Sequence, residues 1–327
     1  MKALVADFSK QLKKAIEIGK AAQLHKSNQP ITSVVIAGLG GSGIGGSIVS
    51  ELVALEANAS ITVCKGYFIP AFVNENTLFI ASSYSGNTEE TIQALEQAMS
   101  KKAKIVCVTS GGKIKEIAEK NKFDTIVIPG GNPPRACLGY SLTQLLFIFK
   151  FFGIIKSDVE SQLNASIELI DKEEGNITTE AHKITEKLMN KLPVIYTTTY
   201  NEGVAIRFRQ QLNENSKILC WHQIIPEMNH NELVGWREKN ENIAVVLFRD
   251  HDEYDRNNTR IEINKEVIQK YTSTIIEIYS KGKSKIEKAI YLIHLGDWIS
   301  CYLADKRGYD ANEINVINHL KSELSKI

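Results

Sequence analysis

Two turns rich in glycine and hydroxyl side chains are the first places where this chain could do chemistry. The first turn contains Gly41 and Ser42 and follows the apolar run 34–37. The second turn follows the apolar run 78–81 and carries three closely spaced hydroxyls, those of Ser83, Ser85 and Thr88. Glycine lets the backbone approach a ligand closely, and free N–H groups at a helix N-terminus attract anions. The two turns therefore predict a phosphorylated ligand held between them.

Each turn could also serve a different purpose. The pattern Gly38-x-Gly40-x-x-Gly43 also fits a dinucleotide-binding fingerprint, but that site requires an acidic residue about twenty positions later. The second predicted strand ends instead at Cys64-Lys65-Gly66, without a carboxylate, so NAD is disfavoured and no cofactor is predicted. The glycines could serve only tight packing of a strand against a helix, and the serine turn could be an ordinary helix N-cap.

Three residues outside the turns are candidates for acid–base and electrostatic work. Arg135 follows two prolines, and its guanidinium could bind phosphate or stabilise a negative intermediate, although an exposed arginine is equally common. Glu214 and His230 lie in what we expect to be adjacent loops, where a carboxylate and an imidazole could divide the roles of base and acid. A purely structural role is the alternative for each of them.

A metal site and a further cation are weaker candidates. Zinc could be held by His222, Glu227 and His230, but the spacing matches no common zinc motif, and no metal is predicted. Lys321 falls by its spacing on the polar face of an amphipathic C-terminal helix.

The composition limits the classes of partner. The chain has 327 residues, of which 43% are apolar and 24% charged, with a net charge of +1. That length favours two domains, and the balanced charge predicts neither nucleic-acid nor membrane binding. Five scattered cysteines do not suggest a disulfide framework. With no signal-like core at the N-terminus and no apolar run long enough for a membrane span, we expect a cytoplasmic protein.

Short apolar strands alternate with helices along the chain, which predicts an α/β protein with parallel sheets covered on both faces. Strands are expected at 33–37, 60–64, 77–82, 104–109 and 125–128, and again at 194–198, 243–248 and 273–278. We predict an N-terminal domain over 1–155, a helical crossing segment over 156–190 and a C-terminal domain over 191–327. The final long helix, 285–306, is apolar on nearly all sides, so it is expected to be buried.

These motifs together resemble those of the bifunctional phosphoglucose/phosphomannose isomerases, which belong to the sugar isomerase (SIS) domain superfamily. The resemblance runs from about Val34 to the C-terminus. Its most specific elements are the segments 213–217 (Asn-Glu-Asn-Ser-Lys) and 226–232 (Pro-Glu-Met-Asn-His-Asn-Glu), whereas the serine turn is shared widely among SIS domains. It implies two SIS-type domains, each a parallel sheet flanked by helices on both faces.

The resemblance also implies a role for each matching residue. Gly41, Ser42 and the three hydroxyls of the second turn correspond to the sugar-phosphate binders. Arg135 resembles the residue that stabilises an enediolate, and Glu214 the base that moves a proton between C1 and C2. His230 resembles a ring-opening acid donated across a homodimer interface. Lys321 resembles a lysine that closes the site.

The activity implied is interconversion of glucose 6-phosphate, and with it mannose 6-phosphate, with fructose 6-phosphate through an enediolate and without a metal. Two alternatives stay open: a sugar-phosphate-binding regulator and another SIS isomerase. The first thirty residues contain no helix-turn-helix with a basic face, which a DNA-binding regulator would require. The sequence does not decide whether mannose 6-phosphate is accepted, whether the assembly is a dimer or a tetramer, or whether Lys321 reaches the site.

Overall fold

A computed structural model describes residues 1–326, and its helices and strands alternate along most of the chain. The first half contains α1 (Lys2–Ala6), α2 (Phe8–Ala21), β1 (Ser33–Ala37), α3 (Gly40–Leu52), β2 (Ser60–Cys64), β3 (Thr77–Ser83), α4 (Glu89–Ser100), β4 (Lys104–Thr109), α5 (Gly112–Asn121), β5 (Asp124–Val127) and α6 (Leu138–Phe151). The second half contains α7 (Val159–Leu188), β6 (Leu192–Thr198), α8 (Glu202–Glu214), β7 (Trp221–Ile225), β8 (Ile243–Arg249), α9 (Asp255–Ile268), β9 (Ile275–Tyr279), α10 (Lys285–Lys306) and α11 (Asn315–Leu324).

The strands form two separate parallel sheets. The first sheet has the order β2-β1-β3-β4-β5, and the second has the order β7-β6-β8-β9. The central strands of each sheet pair in parallel. In the first sheet Val35 of β1 lies opposite Phe79 of β3, and in the second sheet Ile195 of β6 lies opposite Val246 of β8. The predicted α/β class with two parallel sheets is confirmed. The predicted domain bounds remain a prediction.

One strand differs from the sequence-based expectation. The sequence pattern predicts no strand at 221–225, but this segment forms β7 and pairs with β6. It is an edge strand with mostly partial burial, and its polar residues gave no alternating pattern that would reveal it. The expectation that Glu214 and His230 lie in adjacent loops is therefore wrong, because a whole strand separates them.

The helix α10 lies in the interior, as its apolar composition predicts. It packs along α7 and also contacts α8, and sixteen of its residues are buried. A single hydrophobic cluster contains residues of both sheets, such as Ile36 and Val246, together with residues of α10. The two sheets are thus joined by a shared core.

The helices α3 and α8 pack against each other and fix how the two sheets meet. A Cβ added at Gly203, near the start of α8, would lie 2.9 Å from Cγ1 of Ile48, near the end of α3. At their other ends, Gly41 of α3 contacts Pro134 and Glu214 of α8 bonds to Arg135, so the two helices run in opposite directions at their contact. As a result, the start of α3 lies near the end of α8, and that is where the candidate site is found.

Among residues 1–326, no helix combines the length and apolar character needed to cross a membrane.

Candidate active site

The two glycine- and hydroxyl-rich turns lie side by side at the carboxyl edge of the first sheet, because β1 and β3 are neighbours there. Ser42 is buried in the first turn of α3, and its Oγ accepts the N–H of Tyr84 at 3.1 Å. A Cβ added at Gly38 would lie 2.6 Å from the carbonyl oxygen of Ser82, so the two turns pack without space for a side chain there. The predicted juxtaposition of the turns is present.

The serine turn is ordered by its own hydroxyls. The Oγ of Ser83 lies 2.9 Å from Oγ1 of Thr88, and it accepts the N–H of Gly86 at 3.2 Å. Gly86 has φ of 70°, and a Cβ there would meet the carbonyl oxygen of Gly111, so only glycine fits. Ser85 is exposed, and the hydroxyls and backbone N–H groups of this turn precede helix α4. Such an arrangement suits an anion.

The loop before α6 connects these turns to Arg135. The N–H of Asn132 donates to the phenolic oxygen of Tyr84 at 3.1 Å, and burial raises the pKa of Tyr84 to about 12, so the phenol stays neutral. A Cβ added at Gly41 would lie 2.9 Å from the carbonyl oxygen of Pro134. The start of α3 therefore touches the short 3₁₀ turn Pro134–Ala136, in which Arg135 lies.

The guanidinium of Arg135 joins the two halves of the chain. It is 4% exposed and donates from Nε to Oδ1 of Asn215 at 2.8 Å and from one terminal nitrogen to Oε2 of Glu214 at 3.3 Å. The other terminal nitrogen donates to the carbonyl oxygen of Ala311 at 2.5 Å. Burial lowers the pKa of Arg135, and the carboxylate of Glu214 opposes that shift. The guanidinium stays charged because an arginine pKa starts far above neutrality.

A second set of buried polar groups, on α8 and α10, fixes the backbone and the hydrogen-bond partners of Arg135. Arg207 donates to the carbonyl oxygen of Arg135 at 2.6 Å and pairs with the carboxylate of Asp297 at 2.8 Å. Asn215 is fully buried, and it donates to Oγ of Ser300 at 2.9 Å. These bonds leave Arg135 few alternative orientations, which is what a preorganised electrostatic group needs.

The carboxylate of Glu214 is the part of the pair that remains accessible. Its side chain is 31% exposed, against 4% for Arg135. It stands at the end of α8, beside the buried Arg135, whose 3₁₀ turn contacts the start of α3. A carboxylate in that position can accept a proton from a bound ligand, while the guanidinium stabilises the negative charge that develops.

His230 lies far from this pair within one chain. The helix α8 runs back from the carboxyl edge of the second sheet, so Glu214 at its end lies at the amino edge, roughly 20 Å along the helix from its start. The parallel strand β7 then returns, and His230 follows it at the carboxyl edge. His230 is exposed, and it forms no side-chain hydrogen bond within residues 1–326.

The remaining candidates are placed as follows. Lys321 lies on α11, which has no buried residue and leaves Lys321 exposed. His222 lies in β7, where its ring is 3.4 Å from a carboxylate oxygen of Glu202, and Glu227 accepts a bond from Asn231. Within the described residues, no group of three or more histidine, cysteine, aspartate or glutamate residues is arranged to hold a metal ion.

Comparison with known proteins places the chain in a family. The model for the bacterial phosphoglucose isomerase C-terminal SIS domain matches residues 177–324, and the SIS domain model matches residues 69–133. A bifunctional phosphoglucose/phosphomannose isomerase from Caldicellulosiruptor bescii is 39% identical over 99% of this chain and 98% of its own length. This chain belongs to the bifunctional phosphoglucose/phosphomannose isomerase family. It is a sugar-phosphate isomerase on that ground.

Two other similarities show how widely this family and fold extend. A D-glucosamine-6-phosphate 4-epimerase from Sulfolobus acidocaldarius is 28% identical over 89% of this chain and 88% of its own length. The C-terminal domain of glucosamine-fructose-6-phosphate aminotransferase from Francisella tularensis superposes with a TM-score of 0.72, at 14% identity, over 95% of this chain and 98% of that domain. The second similarity concerns the fold alone.

The structure adds residues to this family member's site that sequence patterns left without a role. Asn215 and Lys217 stand in the same five-residue segment as Glu214, and only that adjacency signalled them. Arg207 lies about two turns before Glu214 on α8. It gave no signal, because its partners Arg135 and Asp297 are 72 and 90 positions away. Contacts at such distances along the chain are set by the fold.

Proposed function

We propose that this protein interconverts glucose 6-phosphate, and also mannose 6-phosphate, with fructose 6-phosphate by moving a proton through an enediolate without a metal. The observation that carries the proposal is the Arg135–Glu214 pair, with a 3.3 Å contact between guanidinium and carboxylate. A partly exposed carboxylate beside a buried cation provides a base and a stabiliser of negative charge together.

Glu214 acts as the base that carries the proton between C1 and C2, and Arg135 stabilises the enediolate oxygens. An aldose–ketose isomerisation needs one base that reaches both carbons, because the proton is removed from one and returned to the other. The buried hydrogen bonds to Arg135 support this role, since a charge held in place needs no reorganisation as the reaction proceeds.

The phosphate of the substrate is bound by the two turns through Gly41, Ser42, Ser83, Ser85 and Thr88. The contact between Gly41 and Pro134 supports this assignment, because it brings the start of α3 directly beside Arg135. Binding energy from the phosphate, which does not react, then orients the sugar carbons toward Glu214. No cofactor is needed in this scheme.

His230 opens the sugar ring, and it is supplied by the second subunit of a homodimer. Its position at the opposite edge of the second sheet from Glu214 supports a role at a neighbouring chain's site. Large apolar side chains are exposed on the segments flanking it, namely Leu219 (82%), Trp221 (37%) and Val234 (68%). An exposed apolar surface of this kind is typical of an interface.

Lys321 closes the site from α11. This helix has no buried residue, but its start follows directly from the segment that contains Ala311, whose carbonyl accepts from Arg135. The exposed apolar residues of α11, among them Val316 and Leu320, leave the helix free to pack on a substrate-bound or dimeric form.

The substitution Glu214→Gln tests the proposal because it keeps the size of the side chain and removes its basicity. Turnover of fructose 6-phosphate is expected to fall roughly 10²- to 10⁴-fold, the usual contribution of a general base. Calorimetric binding of fructose 6-phosphate should be retained, since the phosphate-binding turns are unchanged. The matched control is Glu119→Gln, an exposed glutamate on α5, which should leave turnover unchanged.

Glucose 6-phosphate and mannose 6-phosphate should be compared in an assay that couples the formation of fructose 6-phosphate to a detectable reaction, each with and without a chelator. Glucosamine 6-phosphate should be followed by direct analysis of its products. Formation of fructose 6-phosphate from both glucose 6-phosphate and mannose 6-phosphate, undiminished by chelator, supports the proposal. Near-normal turnover by Glu214→Gln overturns the assigned base. Activity toward glucosamine 6-phosphate alone would instead assign the chain the reaction named for its Sulfolobus acidocaldarius relative.

A further inference from the structure

The segment between α10 and α11, residues 307–314, which we call the α10–α11 connector, is fastened to the Glu214 region by three cations. Arg135 donates to the carbonyl oxygen of Ala311 at 2.5 Å, and Arg307 donates to that of Ser216 at 3.1 Å. The third cation is Lys217, whose Nζ donates to the carbonyl oxygen of Glu313 at 2.7 Å. The connector is thus tied to Arg135 and to two residues, Ser216 and Lys217, that closely follow Glu214.

Lys217 contacts the backbone of Glu214 as well as the connector, whereas Arg135 contacts the carboxylate of Glu214. Its Nζ also donates to the carbonyl oxygen of Glu214, at 2.5 Å, so one ammonium group bridges the base residue and the connector. The side chain is 21% exposed, and Nζ lies 3.9 Å from the carboxylate of Glu313. Its backbone has φ of 55°, the left-handed conformation in which the chain turns away from the end of α8.

We infer that Lys217 is a positioning residue for the isomerisation: its ammonium group fixes the end of α8 against the α10–α11 connector and keeps the Glu214 carboxylate in register with Arg135. The inference rests on the proposed function of Glu214 and Arg135. A base that serves two adjacent carbons must be held in place closely, and a misplacement of about 1 Å can cost roughly 100-fold in rate.

The charge of Lys217 adds an electrostatic effect. The charged groups that face it are Glu313, Asp310, Arg135 and Glu214, and burial lowers its pKa while the acidic groups oppose that shift. A cation near a carboxylate favours the ionised form of that carboxylate. Removing the cation should therefore shift the acid-side limb of the rate profile to higher pH, in addition to loosening the connector.

The alternative is that Lys217 only caps α8, as lysines near helix C-termini commonly do by binding the last carbonyl groups. A cap contributes to stability but does not change the pH dependence of turnover. The two roles therefore differ in a quantity that can be measured at a temperature where every variant is folded.

The experiment compares Lys217→Met with Lys217→Arg in the full chain, since both replacements are ordinary L-residues and face the same backbone conformation. For Lys217→Met we expect kcat with fructose 6-phosphate to fall roughly 10- to 100-fold with KM changed less than about 3-fold, and the acid-side inflection of kcat/KM to move to higher pH. Lys217→Arg, which keeps the charge and the donors, should recover most of the turnover and the original inflection.

The matched control is Lys104→Met. Lys104 is as buried as Lys217, with a side chain 20% exposed and a carboxylate partner, Asp124, but it lies at the start of β4, far from the site. It should lower thermal stability without altering the pH profile. Lys217→Met behaving in the same way overturns the inference. If Lys217→Met has parental turnover while Glu214→Gln is inactive, only the positioning role of Lys217 is overturned. If Glu214→Gln is active, the proposed function itself is overturned.

Discussion

At the scale of single residues, Glu51 shows how closely the two halves of the chain are joined. Both of its carboxylate oxygens lie 2.9 Å from the backbone nitrogen of Gly203, in the first turn of α8. Burial raises the pKa of Glu51 from 4.5 to about 7, a shift that the bond from Gly203 only partly opposes, while the nearby Glu202 adds to it. The ionised form of Glu51 therefore lowers the free energy of unfolding at and above neutral pH.

The pKa of Glu51 leads to a prediction about stability. Because the folded-state pKa lies above the unfolded one, the protonated form is favoured in the folded protein, and that contribution is complete below about pH 4.5 and lost as pH rises through about 7. Glu51→Gln should match the parent protein near pH 4 and exceed its free energy of unfolding at pH 8 by up to about 3 kcal/mol. Urea titrations at the two pH values measure this.

The exposed Glu119→Gln serves as the reference for the Glu51 measurement, because its side chain lies on the surface of α5. The ion pair of Glu119 with Lys115, at 3.7 Å, is exposed and contributes about 0.5 kcal/mol or less, so the difference from the parent protein should be nearly the same at both pH values. A Glu51→Gln variant that is equally affected at pH 4 and pH 8 would show that the carboxylate is not buried as described.

At the scale of elements, the start of α3 is the part that brings the two glycine- and hydroxyl-rich turns to Arg135. Its first residues include Gly41, which packs against the backbone of Pro134 rather than against a movable side chain. Gly41 does not have a positive φ, so it is space and not backbone conformation that excludes a larger residue there. The contact between α3 and the turn Pro134–Ala136 therefore depends on the absence of a Cβ.

The substitution Gly41→Ala should separate these two elements. A Cβ 2.9 Å from a carbonyl oxygen forces the backbone to shift, and we expect a loss of about 1–3 kcal/mol in the free energy of unfolding together with a marked rise in KM for fructose 6-phosphate. Gly175→Ala is the matched control, because that glycine lies within α7 with nothing within 4 Å. It should raise stability by about 0.5–1 kcal/mol without affecting turnover. Similar kinetics for the two variants would count against the role of the α3 contact.

The elements also show what sequence patterns can and cannot predict. Strands such as β1 and β3 are buried along nearly their whole length, so their apolar runs are visible in the sequence. The edge strand β7 is only partly buried, and its polar residues interrupt the apolar run by which a strand is recognised in the sequence. The glycine and hydroxyl turns were recognisable because local chemistry defines them. The bonds from Arg135 to Asn215 and Ala311 were not, because they join positions 80 and 176 residues apart.

At the scale of the whole molecule, one chain holds Glu214 and His230 at opposite edges of the second sheet. A two-fold symmetric dimer brings the same surface of each chain into one interface, so each chain can donate His230 to the other. Mixing of inactive subunits tests this arrangement directly. Dimers that contain one Glu214→Gln chain and one His230→Gln chain have one intact site and one doubly altered site.

Refolding an equal mixture of the two inactive variants should therefore restore about a quarter of the parental turnover, because about half of the dimers are mixed and each has one of two sites intact. The comparison is a mixture of Glu214→Gln with Glu214→Gln/His230→Gln, which should remain inactive. If the first mixture also remains inactive while light scattering shows dimers, His230 is not donated between chains.

The pairing of α7 with α10 has a consequence for how the chain is made. During synthesis both sheets are complete by residue 279, but α7, which packs mainly against α10, lacks that partner until α10 is added. A ribosome-bound nascent chain of that length therefore exposes apolar residues of α7 to solvent. We expect chaperones to bind the chain at that stage. When α10 is made more polar, we expect chaperones to release the full-length protein more slowly. Both effects follow from the order of the two helices along the chain.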